Sequence, residues 1–274
     1  MNDFAIGVFD SGIGGLTCVK ELNRLMPNEN IIYFGDTARI PYGTRSKETI
    51  KKYAAQDVEF MKKHEVKLII AACGTVSSVL GADSRQFGET PFIGVLLPAA
   101  QAACAVTRNG KIGVIGTSAT ISSGAYGKAI RGIRRSITVA GNSCPLFVPL
   151  VENGFTDREN LVVKLVAEQY LGVVKKEGVD VLILGCTHYP VISEVIADYM
   201  GAGVTLISPG EEAAKHAFSF MAKSAMLSDR KDKGHNTYYV SDSTKQFAQN
   251  ARLYLGEEID EKALFKVDIE DLAL

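Results

Sequence analysis

Residues 54–73, AAQDVEFMKKHEVKLIIAAC, align with residues 167–186, AEQYLGVVKKEGVDVLILGC, at a constant shift of 113 positions. Seven of the twenty aligned pairs are identical, and the last of them pairs Cys73 with Cys186. In each copy apolar residues first recur at helical spacing and then form a near-continuous run, which is typical of a helix followed by a buried strand. The sequence therefore predicts a duplicated helix–strand unit that ends in a cysteine at the carboxyl end of the strand.

A second internal match extends the duplication to an earlier strand. Residues 6–9 align with residues 112–115 at a shift of 106, and loops of unequal length explain the change of shift. Apolar, β-branched runs alternate with helix-period stretches along the chain, which favours an α/β fold with parallel strands. The predicted strands are residues 5–9, 31–34, 67–72, 92–95, 111–115, 181–184, 204–207 and 237–240.

The duplication predicts two similar α/β lobes with mainly parallel sheets, related by a pseudo-twofold axis. Lobe one comprises residues 1–97 plus 210–274 and carries Cys73, and lobe two comprises residues 98–209 and carries Cys186. Ligands of open α/β sheets bind beyond the carboxyl ends of the strands, so we expect the active site in the cleft between the lobes. Residues 156–159, Thr-Asp-Arg-Glu, also predict a capping box at the start of the second repeat helix.

Composition excludes several classes of protein. Of the 274 residues, 46% are hydrophobic and 22% charged, which is typical of a globular protein and not of a disordered one. The net charge of −1 provides no basic field for nucleic acid, and no apolar run approaches the roughly 18 residues of a membrane span. The amino terminus lacks the pattern of a secretory signal, and five cysteines do not form an even disulfide framework. We therefore expect a cytoplasmic protein without nucleic-acid or membrane partners.

Two equivalent thiols facing one cleft suit a reaction with mirror-image halves. In racemisation one group removes a proton from the first face of a carbon atom, and a second group returns a proton to the other face. A thiol, with a reference pKa of about 8.5, can serve in either role near neutral pH. The paired cysteines Cys73 and Cys186 are therefore candidate acid and base catalysts.

Other interpretations of the cysteines are weaker. A single buried cysteine is usually a small packing residue, and we assign that role to Cys18, Cys104 and Cys144. Cys186 and His188 could form a hydrolase pair, but their separation of two residues is a poor geometry for an oriented nucleophile and base. No C-x-x-C or H-x-x-x-H spacing occurs that would predict a zinc site, and the glycine run at residues 12–15 lacks the third glycine of a dinucleotide fingerprint. The sequence therefore predicts neither a local zinc motif nor a nucleotide-binding site.

Several motifs together resemble the cofactor-independent aspartate/glutamate racemase family, and bacterial glutamate racemases in particular. The resemblance implies two lobes with the active site between them, two catalytic cysteines at Cys73 and Cys186, no cofactor and no metal, and glutamate as substrate. The motifs are Asp10-Ser11-Gly12-Ile13-Gly14-Gly15, Phe34-Gly35-Asp36-Thr37-Ala38, Pro41-Tyr42-Gly43, Cys73-x-Thr75, Ile115-Gly116-Thr117-x-Ala119-Thr120, Pro149-Leu150-Val151-Glu152 and Gly185-Cys186-Thr187-His188-Tyr189-Pro190.

The resemblance also implies roles for residues around the cysteines. Asp10, Asp36, Glu152 and His188 are expected to assist the thiols, with the Asp10 carboxylate in reach of the substrate α-ammonium. Taken alone, Asp10-Ser11 could equally be a helix N-cap, Pro41 a turn, and each threonine a cap or a strand former. The expected substrate-binding residues are Asp10, Ser11, Pro41, Tyr42, Gly43, Gly74, Thr75, Thr117, Thr120, Thr187 and His188.

One departure from the family leaves the substrate open. Gly74 stands where the family usually has asparagine, so an amide that binds the polar head of the amino acid is missing and space beside Cys73 is expected. The first hypothesis is a glutamate racemase that supplies D-glutamate for peptidoglycan and pairs as a homodimer. The alternatives are a racemase for aspartate or another amino acid, in which Gly74→Asn would raise glutamate turnover, and a non-catalytic binding protein on the same scaffold.

Overall fold

The computed structural model describes residues 3–81 and 88–268 of the chain. Ten strands form two sheets, and every pairing between the described strands is parallel. The strands are β1 (Ala5–Asp10), β2 (Ile31–Gly35), β3 (Val66–Ala71), β4 (Phe92–Gly94), β5 (Lys111–Gly116), β6 (Thr138–Ser143), β7 (Val181–Leu184), β8 (Thr205–Ile207), β9 (Asn236–Val240) and β10 (Leu264–Lys266).

The two sheets repeat the same strand order. The six-stranded sheet has the order β10-β9-β2-β1-β3-β4, and the four-stranded sheet has the order β6-β5-β7-β8. In each sheet the first strand of the unit, β1 or β5, lies between its second and third strands. The residue matches found in the sequence pair β1 with β5 and β3 with β7, so the predicted two-lobed α/β architecture is confirmed.

Eleven α-helices are present among the described residues, and the two repeat helices are α2 and α8. The helices are α1 (Leu16–Leu25), α2 (Lys47–Lys62), α3 (Gly74–Leu80), α4 (Leu96–Val106), α5 (Ser118–Ser123), α6 (Ala125–Ile133), α7 (Phe147–Glu152), α8 (Leu161–Lys176), α9 (Ser193–Met200), α10 (Pro209–Lys223) and α11 (Thr244–Leu255). No described helix combines the length and apolarity needed to cross a bilayer.

Each of the eight predicted strands is present within one or two residues of its expected bounds, whereas β6 and β10 were missed. Both lie at sheet edges, and the segment of β6, TVAGNS, has only partly buried or exposed side chains. An edge strand needs no continuous apolar run, so hydrophobic patterning does not reveal it.

The predicted capping box is wrong, because α8 begins later than residues 156–159 suggest. Asn160 is its N-cap, and the side-chain oxygen of Asn160 accepts from the backbone N–H groups of Val162 and Val163. Asp157 instead binds the Glu159 N–H at 2.6 Å in the turn before the helix. Several neighbouring Asp, Asn and Thr residues compete for the cap, and propensity alone does not choose between them.

A continuous hydrophobic core joins the two sheets. The largest buried cluster contains Val8 of β1 and Leu184 of β7, together with Leu22 of α1 and Ala214 of α10. Burying each large side chain contributes about 1.5–3 kcal/mol, so this cluster holds the lobes against each other. The exact lobe boundaries at 97/98 and 209/210 remain predictions, and residues 1–2, 82–87 and 269–274 of lobe one lie outside the described part of the chain.

Candidate active site

A cavity of about 380 Å³ lies at the carboxyl ends of both sheets, and both repeat cysteines line it. Of the fifteen predicted site residues, the structure brings twelve to the wall of this cavity and leaves Asp10, Asp36 and Thr120 out of it. The twelve are Ser11, Pro41, Tyr42, Gly43, Cys73, Gly74, Thr75, Thr117, Glu152, Cys186, Thr187 and His188. Their chemical roles remain predictions.

Cys73 follows β3 and is the residue before α3, so its position is fixed by a strand and a helix. Its thiol donates to the Ser11 hydroxyl at 3.5 Å. Burial raises the pKa of Cys73 to about 12, and the negative charge of Asp10 adds to the increase. At neutral pH Cys73 is therefore a protonated thiol that can donate a proton.

Cys186 lies in a different electrostatic setting. Its Sγ is 3.9 Å from Nδ1 of His188, and Nε2 of the same imidazole is 2.9 Å from Oε1 of Glu152. Burial opposes a charge on His188, but the hydrogen bonds and charges of Cys186 and Glu152 outweigh it and raise the pKa of His188 to about 10. The imidazole is therefore protonated at neutral pH, and it places a positive charge beside the Cys186 sulfur.

These settings predict unequal reactivity of the two thiols. In the free protein at about pH 7, iodoacetamide is expected to alkylate Cys186 faster than Cys73, because burial holds Cys73 as the weakly nucleophilic neutral thiol whereas the positive charge of His188 lies beside the Cys186 sulfur. Timed quenching and peptide mass spectrometry would measure both rates in one sample. His188→Gln should slow the alkylation of Cys186 and leave that of Cys73 unchanged. Equal rates at the two cysteines in the unsubstituted protein would contradict the assignment.

Asp10 lies at the end of β1, behind the wall of the cavity. Its side chain is almost fully buried; Oδ2 accepts from the Gly12 N–H at 3.1 Å, whereas Oδ1 has no hydrogen-bond partner within the described residues. Burial raises the pKa of Asp10, against the lowering effect of His188. Asp10 is not a helix N-cap, since α1 begins at Leu16 after Gly15. Because Asp10 does not line the cavity, this placement offers no direct contact between its carboxylate and the ammonium group of a ligand.

Asp36 belongs to a buried network behind Tyr42 and not to the cavity wall. One carboxylate oxygen of Asp36 accepts from Tyr42 and from Arg39, the latter at 2.5 Å, and the other accepts from Ser241 at 2.9 Å. The expectation that Asp36 assists the thiols from within the site is corrected by this placement. Its carboxylate is fully engaged in holding the Tyr42 ring against the cavity.

Arg39 is the cation that makes this network possible. It binds Asp36, Gln56 and, at 3.1 Å, Asp57, and its guanidinium lies over the Tyr53 ring at 4.2 Å. Burial, together with the charge of Asp36, raises the pKa of Asp57 well above its usual value. Removing Arg39 would leave the buried Asp36 carboxyl without its cationic partner.

Arg39→Met is expected to lower the free energy of unfolding by about 3–5 kcal/mol, the cost of breaking a buried ion pair from one side. Urea denaturation followed by circular dichroism would measure the loss. Arg158→Met is a matched control, because Arg158 pairs with Asp198 on the surface. That substitution should cost much less. Equal losses in the two variants would show that the Arg39 network does not stabilise lobe one.

Three threonine hydroxyls connect the lobes beside the cavity. Oγ1 of Thr117 lies 3.0 Å from Oγ1 of Thr75 and 3.0 Å from Oγ1 of Thr120. Thr120 is buried behind the other two and does not reach the cavity, which corrects its expected contact with a ligand. Thr75 and Thr117 remain candidate donors to a carboxylate.

Some cavity residues were missed by the sequence analysis. Cys144 follows β6 and was assigned to the core; it is fully buried but also lines the cavity, together with Pro145 and Val148. Burial raises the pKa of Cys144 to about 12, so it presents a neutral thiol to the site. Cys144 directly follows β6, the edge strand that the hydrophobic pattern does not reveal, so its place at the cavity had no signal in the sequence. Within the described residues, no cluster of three or more His, Cys, Asp or Glu side chains is arranged to hold a metal ion.

Comparison with known proteins identifies the family. Residues 6–217 match the model of the Asp/Glu/Hydantoin racemase family. The chain is 42% identical over 266 residues to a glutamate racemase of Geobacter metallireducens, covering 97% of each chain, and 45% identical over 264 residues to one of Chlorobaculum tepidum, covering 96% of each. It superposes with a TM-score of 0.90 on the crystal structure of the Francisella tularensis glutamate racemase in complex with D-glutamate, at 40% identity, covering 99% of this chain and 100% of that one. The chain therefore belongs to the Asp/Glu/Hydantoin racemase family.

Proposed function

We propose that this enzyme interconverts L- and D-glutamate by moving a proton between the two faces of Cα, with Cys73 and Cys186 as the two proton carriers. The observation that supports this most is the placement of the two repeat-equivalent cysteines on one cavity of about 380 Å³. The relatives named above, and the D-glutamate bound to one of them, support glutamate as the substrate.

The polar groups around the cavity suggest how glutamate binds. Asp10, which lies behind the wall and accepts from the N–H of the wall residue Gly12, would favour the cationic α-ammonium on this side of the cavity through its charge. The hydroxyls of Thr75 and Thr117, which line the wall, would donate to a substrate carboxylate. Tyr42 and Gly43 would close the opposite side of the cavity, with the Tyr42 ring fixed by Asp36.

The charges of the free enzyme assign a starting role to each cysteine. In the proposed cycle Cys186, beside the His188 imidazolium, acts as the base that removes the α-proton, and the protonated Cys73 thiol donates a proton to the opposite face of the resulting carbanion. One turnover leaves Cys73 as the thiolate and Cys186 as the thiol, which is the form that takes up the opposite enantiomer. The proton count is balanced, because one proton is removed and one is returned.

Turnover of L-glutamate in D₂O without added cofactor tests the proposal. Chiral chromatography with mass spectrometry should find D-glutamate carrying deuterium at Cα and little deuterium in the recovered L-glutamate. A parallel panel of aspartate and other amino acids tests the substrate. Faster turnover of aspartate would overturn the glutamate assignment and keep the reaction type, and binding without turnover of any amino acid would favour a non-catalytic protein.

The same proposal extends to the cellular role. We propose that the enzyme works in the cytoplasm as a homodimer and supplies D-glutamate to peptidoglycan synthesis, as the family resemblance implies. Sedimentation velocity of the purified protein would test the oligomeric state, with a single species of monomer mass contradicting the dimer.

A further inference from the structure

Gly74 brings the backbones of the two cysteine-bearing segments into contact. It follows Cys73, begins α3 and lines the cavity. A Cβ atom on Gly74 would overlap the carbonyl oxygen of Gly185, lie 3.1 Å from its carbonyl carbon and lie 3.7 Å from Cα of Cys186. The space that the missing side chain was expected to leave beside Cys73 is therefore filled by lobe two.

Neither backbone segment of this contact can move away without also moving the cysteine that it carries. The Gly185 N–H donates to the Ile115 carbonyl at 2.7 Å, which attaches the Cys186 segment to the second sheet. On the other side, the Ser77 N–H donates to the Cys73 carbonyl at 2.9 Å, and the Ser77 hydroxyl donates to the Ala71 carbonyl at 3.1 Å. Because the overlapping atom belongs to the backbone, a side chain at position 74 has to push the two segments apart.

We propose that Gly74 is a positioning residue, whose missing side chain sets the separation of Cys73 and Cys186 and so couples proton removal on one face of Cα to proton return on the other. This inference rests on the proposed two-cysteine function. It also reverses the expectation for Gly74→Asn. The asparagine side chain would separate the cysteine segments and lower glutamate turnover in this protein, where the sequence alone suggested an increase.

Gly74→Ala in the full-length protein, assayed with L-glutamate in D₂O, tests the proposal. Misplacement of a catalytic group by about 1 Å can cost about 10²-fold in rate, so we expect kcat to fall by roughly 10- to 10²-fold. A wider gap slows proton return by the opposite thiol, and the abstracting thiol then has time to exchange with solvent and return deuterium itself. The deuterium in recovered L-glutamate, per molecule of D-glutamate formed, should therefore rise. Gly74→Asn should likewise lower kcat and raise the deuterium in recovered L-glutamate per molecule of D-glutamate formed.

Gly132→Ala is the matched control, because Gly132 is also helical and a Cβ there would meet no atom within 4 Å. It should leave both quantities unchanged. The deuterium ratio is measured per turnover and does not depend on the folded fraction of a variant. Unchanged kinetics in Gly74→Ala, or a lower kcat with an unchanged ratio, would overturn the proposal. So would faster turnover in Gly74→Asn, or a Gly74→Ala chain that does not fold. An unsubstituted protein that forms no D-glutamate would instead remove the proposed function.

Discussion

Replacing Cys186 or Cys73 with alanine is expected to lower kcat/KM for glutamate racemisation by about 10²–10⁴-fold, the usual contribution of a positioned acid or base. Each substitution removes the proton carrier that the proposed mechanism assigns to one face of Cα. L- and D-glutamate have equal free energies in water, so the equilibrium mixture is racemic. The two directions must therefore lose kcat/KM by the same factor, whichever cysteine is replaced.

Chiral chromatography of both directions would measure the loss, with circular dichroism to show that each variant is folded. Cys104→Ala is the matched control, since Cys104 is a buried cysteine on α4 that does not line the cavity. It should keep kcat/KM, although it costs some stability. An unchanged kcat/KM for racemisation in either catalytic variant would exclude a mechanism with two cysteines. Losses that differ between the two directions would indicate that the assay does not report the full reaction.

The duplicated fold was predictable because two signals in the sequence agree, the internal repeat and the alternation of helical and strand patterns. The 113-residue shift aligns a helix, a strand and a cysteine, and the structure places both copies at the same position in sheets of the same order. The edge strands β6 and β10 could not be predicted in this way. Their pairing depends on a neighbouring strand far away in the chain and not on a local apolar pattern.

The sequence predicted which segments of the chain come to the site, but it did not predict which side chains within those segments face the cavity. Motif blocks brought twelve residues to one cavity, yet Asp36 and Thr120 lie in the same blocks and face away from it. Whether a polar side chain faces the cavity or the layer behind it depends on its hydrogen-bond partners. The partners of Asp36 include Arg39 and Ser241, and both of these residues lie outside the motifs. Gly74 is a further example of a residue whose role depends on a distant partner. A side chain at position 74 would overlap the carbonyl oxygen of Gly185 in the other lobe, and the sequence around Gly74 does not show this contact.

His188→Gln is expected to lower kcat/KM by about 10²-fold in both directions, at the lower end of the effect of a direct acid or base. Glutamine keeps a hydrogen-bonding side chain but removes the positive charge that His188 places beside Cys186, the proposed base. Steady-state kinetics near neutral pH would measure the loss. A variant with unchanged kcat/KM would show that the Cys186 thiolate does not need the imidazolium.

The pH profile separates the charge of His188 from its packing against Tyr254. Its folded pKa of about 10 lies above the reference value of 6.5, so the interaction of the imidazolium with Cys186 and Glu152 is complete below about pH 6.5 and is lost as the pH rises through about 10. Activity should therefore fall on the alkaline side near pH 10. Glu152→Gln removes one of the two groups that raise this pKa, so the alkaline fall should move to lower pH. Glu159→Gln, at an exposed surface glutamate paired with Lys164, should leave the profile unchanged. An alkaline limb at the same pH in the Glu152→Gln variant would mean that Glu152 does not act through His188.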